Sequence, residues 1–98
     1  MKELWTATVE IMTLPTETGN TKAFANIVAW AEDVQSYSDR ITELLAVDGC
    51  TVLEIENCVR IAECQNIPEE LAAQIERATK HPSDCILGTL HYYPSKLN

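Results

Sequence analysis

Ninety-eight residues, 46% hydrophobic and 22% charged, with three Gly and four Pro, fall in the globular range and exclude collagen-like, low-complexity and wholly disordered readings. That length fits a single domain, residues 1–98, around one core. Seven Lys plus Arg against fifteen Asp plus Glu give a formal charge of −8, concentrated in residues 32–76. A field of this sign repels phosphate backbones and anionic lipid headgroups, and no basic stripe offsets it, so neither nucleic acid nor a membrane is an expected partner.

Leu4, Trp5, Thr6, Ala7, Thr8, Val9, Glu10, Ile11 and Met12 begin the chain's ordered pattern. Trp5, Ala7, Val9 and Ile11 alternate with Thr6, Thr8 and Glu10, the period of a half-buried strand. Residues 13–23 contain Pro15, Gly19 and Asn20 and read as a connection longer than a tight turn. Residues 24–31 fit either period. A strand is favoured, because a helix here would run uncapped into the next one.

Asp33 is placed to cap a helix whose apolar positions are Val34, Tyr37, Ile41, Leu44 and Leu45, and Gly49 stands where that helix needs a left-handed residue to end. Residues 50–63 return to alternation, with Glu54, Glu56, Cys58 and Arg60 opposite Leu53, Ile55, Val59 and Ile61. Glu56-Asn57 divides this stretch into a hairpin or leaves it as one long strand. Pro68 suits the first turn of a second helix, with Ile67 and Leu71 as a staple and Leu71, Ile75 and Ala78 facing inward. Residues 85–93 read as a last strand.

The order strand, strand, helix, strand, helix, strand predicts an α+β fold. With a hairpin at Glu56-Asn57, the part after Thr21 takes the order of a ferredoxin-like two-layer plait: an antiparallel sheet of four or five strands, two helices on one face, and an extra N-terminal strand. The second sheet face, with Phe24, Val28, Trp30, Ile86, Leu90 and Tyr92, then stands bare and apolar, which predicts burial against a second copy in a homodimer.

Cys50, Cys58, Cys64 and Cys85 are expected as reduced, small apolar side chains, and residues 1–5 show no export signal, so the expected location is cytoplasmic. The C-x5-C spacing of Cys58 and Cys64 and the H-x3-C spacing of His81 and Cys85 do not match structural zinc sites, and no metal is expected.

Two groups of residues are candidates for binding a small ligand. Thr16-Glu17-Thr18-Gly19-Asn20-Thr21 resembles the T-x-T-G-x-T phosphate loop of flavodoxins and, like that loop, follows a strand. The resemblance implies a phosphate or flavin phosphate held by Thr16, Thr18 and Thr21 hydroxyls and by backbone N–H groups around Gly19 and Asn20. It covers six of 98 residues, and the doubly wound sheet of a flavodoxin needs a longer chain, so no cofactor is expected. The other group is His91, Tyr92 and Tyr93, where an ionisable base and phenols fall together.

No nucleophile, base and orienting group stand in a recognisable pattern, so no catalytic residue is assigned. The functional expectation is a non-enzymatic interaction module, of immunity or inhibitor type, presenting a negative helical face to a basic protein. The alternative is a small-ligand domain using residues 16–21 or a pocket near His91, Tyr92 and Tyr93.

Overall fold

The structure, a computed structural model, describes residues 2–13 and 21–93. Two ten-residue strands, β1 (Glu3–Met12) and β2 (Lys22–Ala31), pair antiparallel in continuous register from Glu3 opposite Ala31 to Met12 opposite Lys22. Helix α1 (Val34–Val47) then carries the chain across β1 to β3 (Thr51–Arg60), which pairs antiparallel with the other side of β1. A short 3-10 turn (Ile61–Glu63) leads toward α2 (Glu69–Lys80). The last two short strands, β4 (Ile86–Leu87) and β5 (His91–Tyr93), both pair antiparallel with β2.

The fold is therefore α+β with a five-stranded antiparallel sheet, ordered β3-β1-β2-β4 with β5 also on β2. This is not the ferredoxin order. The predicted extra strand β1 lies in the middle of the sheet, and residues 51–60 form one strand because Glu56-Asn57 makes a bulge instead of a turn. Asn57, with φ 56°, and Cys58 together stand against Ala7, between the pairs Thr8–Glu56 and Thr6–Val59. Asn adopts this left-handed conformation more readily than most residues, so the extra residue is absorbed without breaking the strand.

Both helices end as their sequences dictate. The Asp33 carboxylate accepts from the Ser36 N–H at 2.7 Å to cap α1, and the Cys50 N–H donates to Leu45 O at 2.9 Å across Gly49, whose φ is 79°. Pro68 precedes α2, Glu69 and Glu70 occupy its first turn, and Arg77 and Lys80 its last, the signs that suit a helix dipole.

The helices sit on opposite faces of the sheet, not on one. Alternate residues of the central strands, Val9, Ile11, Ala25, Ile27 and Ala29, pack with Tyr37, Ile41 and Leu45 of α1. The Tyr37 hydroxyl donates to Ile27 O at 2.7 Å in this core, and burial holds the phenol protonated. The intervening residue Val28 packs with Leu71 and Ala78 of α2 and Ile86 of β4. Of the sheet face that a second copy is expected to cover, the part around Val28, Trp30 and Ile86 is thus occupied by α2 of the same chain, while Phe24 lies beyond it.

Two side chains fasten α2 to the sheet. The Trp30 indole donates to Ala78 O at 3.0 Å. Gln74, only 4% exposed, donates through Nε2 to Asn26 O at 2.9 Å and to Ile86 O at 3.0 Å. Replacing both bonds with hydrocarbon leaves Ile86 O without that donor, so Gln74→Leu is expected to destabilise the fold by about 1–2 kcal/mol, read from the midpoint of urea unfolding. An unchanged midpoint means that α2 is not held by this residue.

Candidate functional site

Because α2 covers only the end of its sheet face around Val28 and Trp30, the other end stays open, and the strand registers fix what lies there. Phe24 is the Cα partner of Glu10 on one side and of His91 on the other, and Glu10 is opposite Glu54. One row across the sheet therefore reads Glu54, Glu10, Phe24, His91. In the adjacent row Glu56 is opposite Thr8, and Thr8 opposite Asn26, with the Thr8 hydroxyl donating to Asn26 Oδ1 at 3.2 Å. The row beyond brings Thr51, Met12 and Lys22 side by side. Lys22 is the one Lys or Arg among these rows.

Helix α2 adds a further carboxylate at the border. Between β4 and β5 the chain inserts one extra residue: Gly88, Thr89 and Leu90 stand against Ala25 and Asn26 of β2. The Gly88 N–H donates to Asn26 O at 2.8 Å, and the Thr89 N–H turns to donate to Glu70 Oε1 at 2.6 Å. The Thr89 hydrogen bonds, with the nearby His91 imidazole, hold the Glu70 carboxyl below the usual glutamate range. Gly88 permits this approach: a Cβ there would come within 2.7 Å of Glu70 Oε1.

Thr8, Phe24, Asn26, Glu70, Thr89 and His91 together enclose a niche of about 70 Å³. His91 is thus a wall of a real concavity. Tyr92 is not, because its Cα partner is Ala23, on the opposite face of β2. The backbone of Tyr93 pairs with Lys22. Sequence reasoning left out Thr8, Phe24, Asn26, Glu70 and Thr89, because the strand registers, the β4–β5 bulge and the position of α2 together bring them beside His91.

Thr16, Thr18, Gly19 and Asn20 lie outside the described residues. Thr21 is described, and its carbonyl accepts from the Thr13 N–H at 2.6 Å. The element that follows is β2, a strand, so no helix N-terminus stands there to complement a phosphate as in the flavodoxin arrangement. All described strand pairs are antiparallel, unlike a doubly wound sheet.

A larger cleft of about 460 Å³ opens beyond β4, lined by Leu44, Val47, Asp48, Arg77, Asp84 and Cys85. Burial raises the Cys85 thiol above its usual range, which disfavours the thiolate there. Cys50 and Cys58 are raised for the same reason, and all four cysteines are free. Among the described residues no three His, Cys, Asp or Glu side chains converge as metal ligands, and no described helix is long and apolar enough to cross a membrane. No family model matches the chain, and neither a curated protein nor a solved structure gives a significant match.

The depressed Glu70 carboxyl has a consequence for stability. Its contribution is complete above the ordinary glutamate value of 4.5 and is lost as pH falls below it through the lower folded value. Asp33 and Glu63, depressed by the Ser36 N–H and by Arg60, act in the same direction. Stability is expected to decline with acid below about pH 4.5. Gly88→Ala is expected to push Glu70 off the Thr89 N–H, so that its carboxyl titrates at a higher pH. Carbon-detected NMR titration of the Glu70 carboxyl measures this, and an unmoved titration would refute the contact.

Proposed function

We propose that this chain is a non-enzymatic protein-interaction module whose docking surface is the open end of the sheet, and that its partner is a basic protein segment. The observation that carries this reading is the placement of Glu10 directly opposite Glu54 on a solvent-facing sheet end, with Glu56 in the next row and Glu70 at the border. Neither Glu54 nor Glu56 has a basic residue opposite it on β1. A cationic partner turns the same arrangement into complementary charge. Such a surface fits the inhibitor type expected from composition, with the acidity borne by strands in place of a helical face.

A partner of another sequence suits this surface better than a second copy of the chain. Strand β3 lies at the sheet edge and has two bulges, at Leu53 and at Asn57, and such irregularities guard an edge against pairing. In a two-fold pairing of two copies centred on Ile55, Glu54 of each would face Glu56 of the other. Charge repulsion therefore opposes self-association at this edge.

The test compares charge removed from two places. A short fluorescein-labelled oligolysine serves as the probe, with binding followed by fluorescence anisotropy. The double variant Glu54→Gln/Glu56→Gln is expected to weaken binding roughly tenfold, and Asp39→Asn/Glu43→Gln on the exposed side of α1 no more than about twofold. Binding of the parent protein is expected to collapse as salt rises above physiological strength. Equal losses from both double variants would mean that net charge alone attracts the probe, and would overturn the docking surface.

A further inference from the structure

The niche beside the acidic row has a size that selects its occupant. Small-molecule sites have volumes of roughly 300–1,000 Å³. A water molecule takes about 30 Å³ of liquid, so the 70 Å³ here accommodates about two waters or one compact head group. This volume holds one compact group and not a whole flavin ring. Resting on the docking reading above, we propose that the niche is an anchor pocket for the ammonium head of one lysine side chain of the partner.

The lining matches that head group. An ammonium has three donors and no acceptor. Around the niche stand the Glu70 carboxylate, whose Oε1 already accepts from the Thr89 N–H, the Thr8 hydroxyl, the Asn26 side-chain carbonyl oxygen, which accepts from that hydroxyl, and the His91 imidazole, near the Glu70 carboxylate charge. Phe24 supplies an aromatic wall, against which the lysine methylenes lose water and which a cation finds favourable. The pocket is also continuous with the acidic row, since Phe24 is the Cα neighbour of Glu10. A lysine seated there lets bases nearby in the same segment meet Glu10, Glu54 and Glu56.

The niche is built from three separate parts of the chain, which gives it a fixed shape. Its base is the β1–β2 ladder, its side is the first turn of α2, and its rim is the bulge at Thr89. The hydrogen bond between Thr89 and Glu70 holds helix and bulge together before any partner arrives, so the carboxylate is already positioned.

The experiment uses the whole protein and the same labelled oligolysine. Glu70→Gln keeps the shape and the acceptor for Thr89 while removing the charge, and Phe24→Leu keeps an apolar side chain while removing the ring. Each is expected to weaken binding about fivefold to tenfold, with oligolysine shifting the NMR amide signals of Thr89, His91 and Asn26 in the parent protein. Retained affinity in both variants, alongside a loss in Glu54→Gln/Glu56→Gln, would overturn the anchor pocket and leave the docking surface standing. If no variant weakens binding, both readings fail. Circular dichroism of each variant separates lost binding from lost fold.

Discussion

The architecture depends on one strand being covered from both sides. Ala23, Ala25, Ile27, Val28, Ala29 and Ala31 of β2 are all buried, and its neighbours in the sheet are β1 on one edge and β4 and β5 on the other. The small side chains on one side let α1 approach closely, and Tyr37 reaches the β2 backbone there. On the other side Val28 and the Trp30 indole receive α2. Burial on both faces accounts for a segment whose apolar content is nearly continuous, as expected of a strand between two layers.

That same constraint produces the open end. Helix α2 is twelve residues long, and a helix rises only about 1.5 Å per residue whereas a strand rises about 3.3 Å. Placed from Asn26 to Trp30, α2 leaves the ends of β1, β2 and β3 that lie toward Met12 and Lys22 without a helical cover. The residues on that face change character accordingly. Thr6 and Val28 are buried at the covered end, whereas Asn26, Glu54 and Glu56 are exposed at the open one. The polar row therefore marks where covering stops.

Much of this was legible in the chain. Alternation alone placed β1 and β3, Asp33 and Gly49 bounded α1, and Pro68 opened α2, because each of these signals is local. The strand order was not legible, since it depends on whether Glu56-Asn57 turns the chain around or only adds a residue, and the same two residues serve either purpose. The helix faces were lost with it. Once residues 51–60 run as a single strand, the path into α2 leads to the opposite face, and Val28 and Trp30 acquire a cover that a hairpin would have denied them. Of the site, the sequence singled out His91; Glu54 and Glu56 were placed only on the outer side of their strand, and their alignment with His91 depends on the register of four strands.

The carboxylates themselves separate structural from functional charge. Asp33 caps a helix, and Glu63 meets Arg60 at 2.8 Å, so both charges are accounted for within the fold. Glu70 also has a structural partner, Thr89, yet its carboxylate stands in the wall of a concavity together with Phe24. Glu54 and Glu56 have no comparable task, since they project from an exposed edge strand whose bulges already guard it against pairing. One acid at such an edge suffices for protection. Two of them, next to a preformed carboxylate niche, go beyond what protection requires, and the proposed attraction of a cationic segment would employ Glu54, Glu56 and Glu70 together.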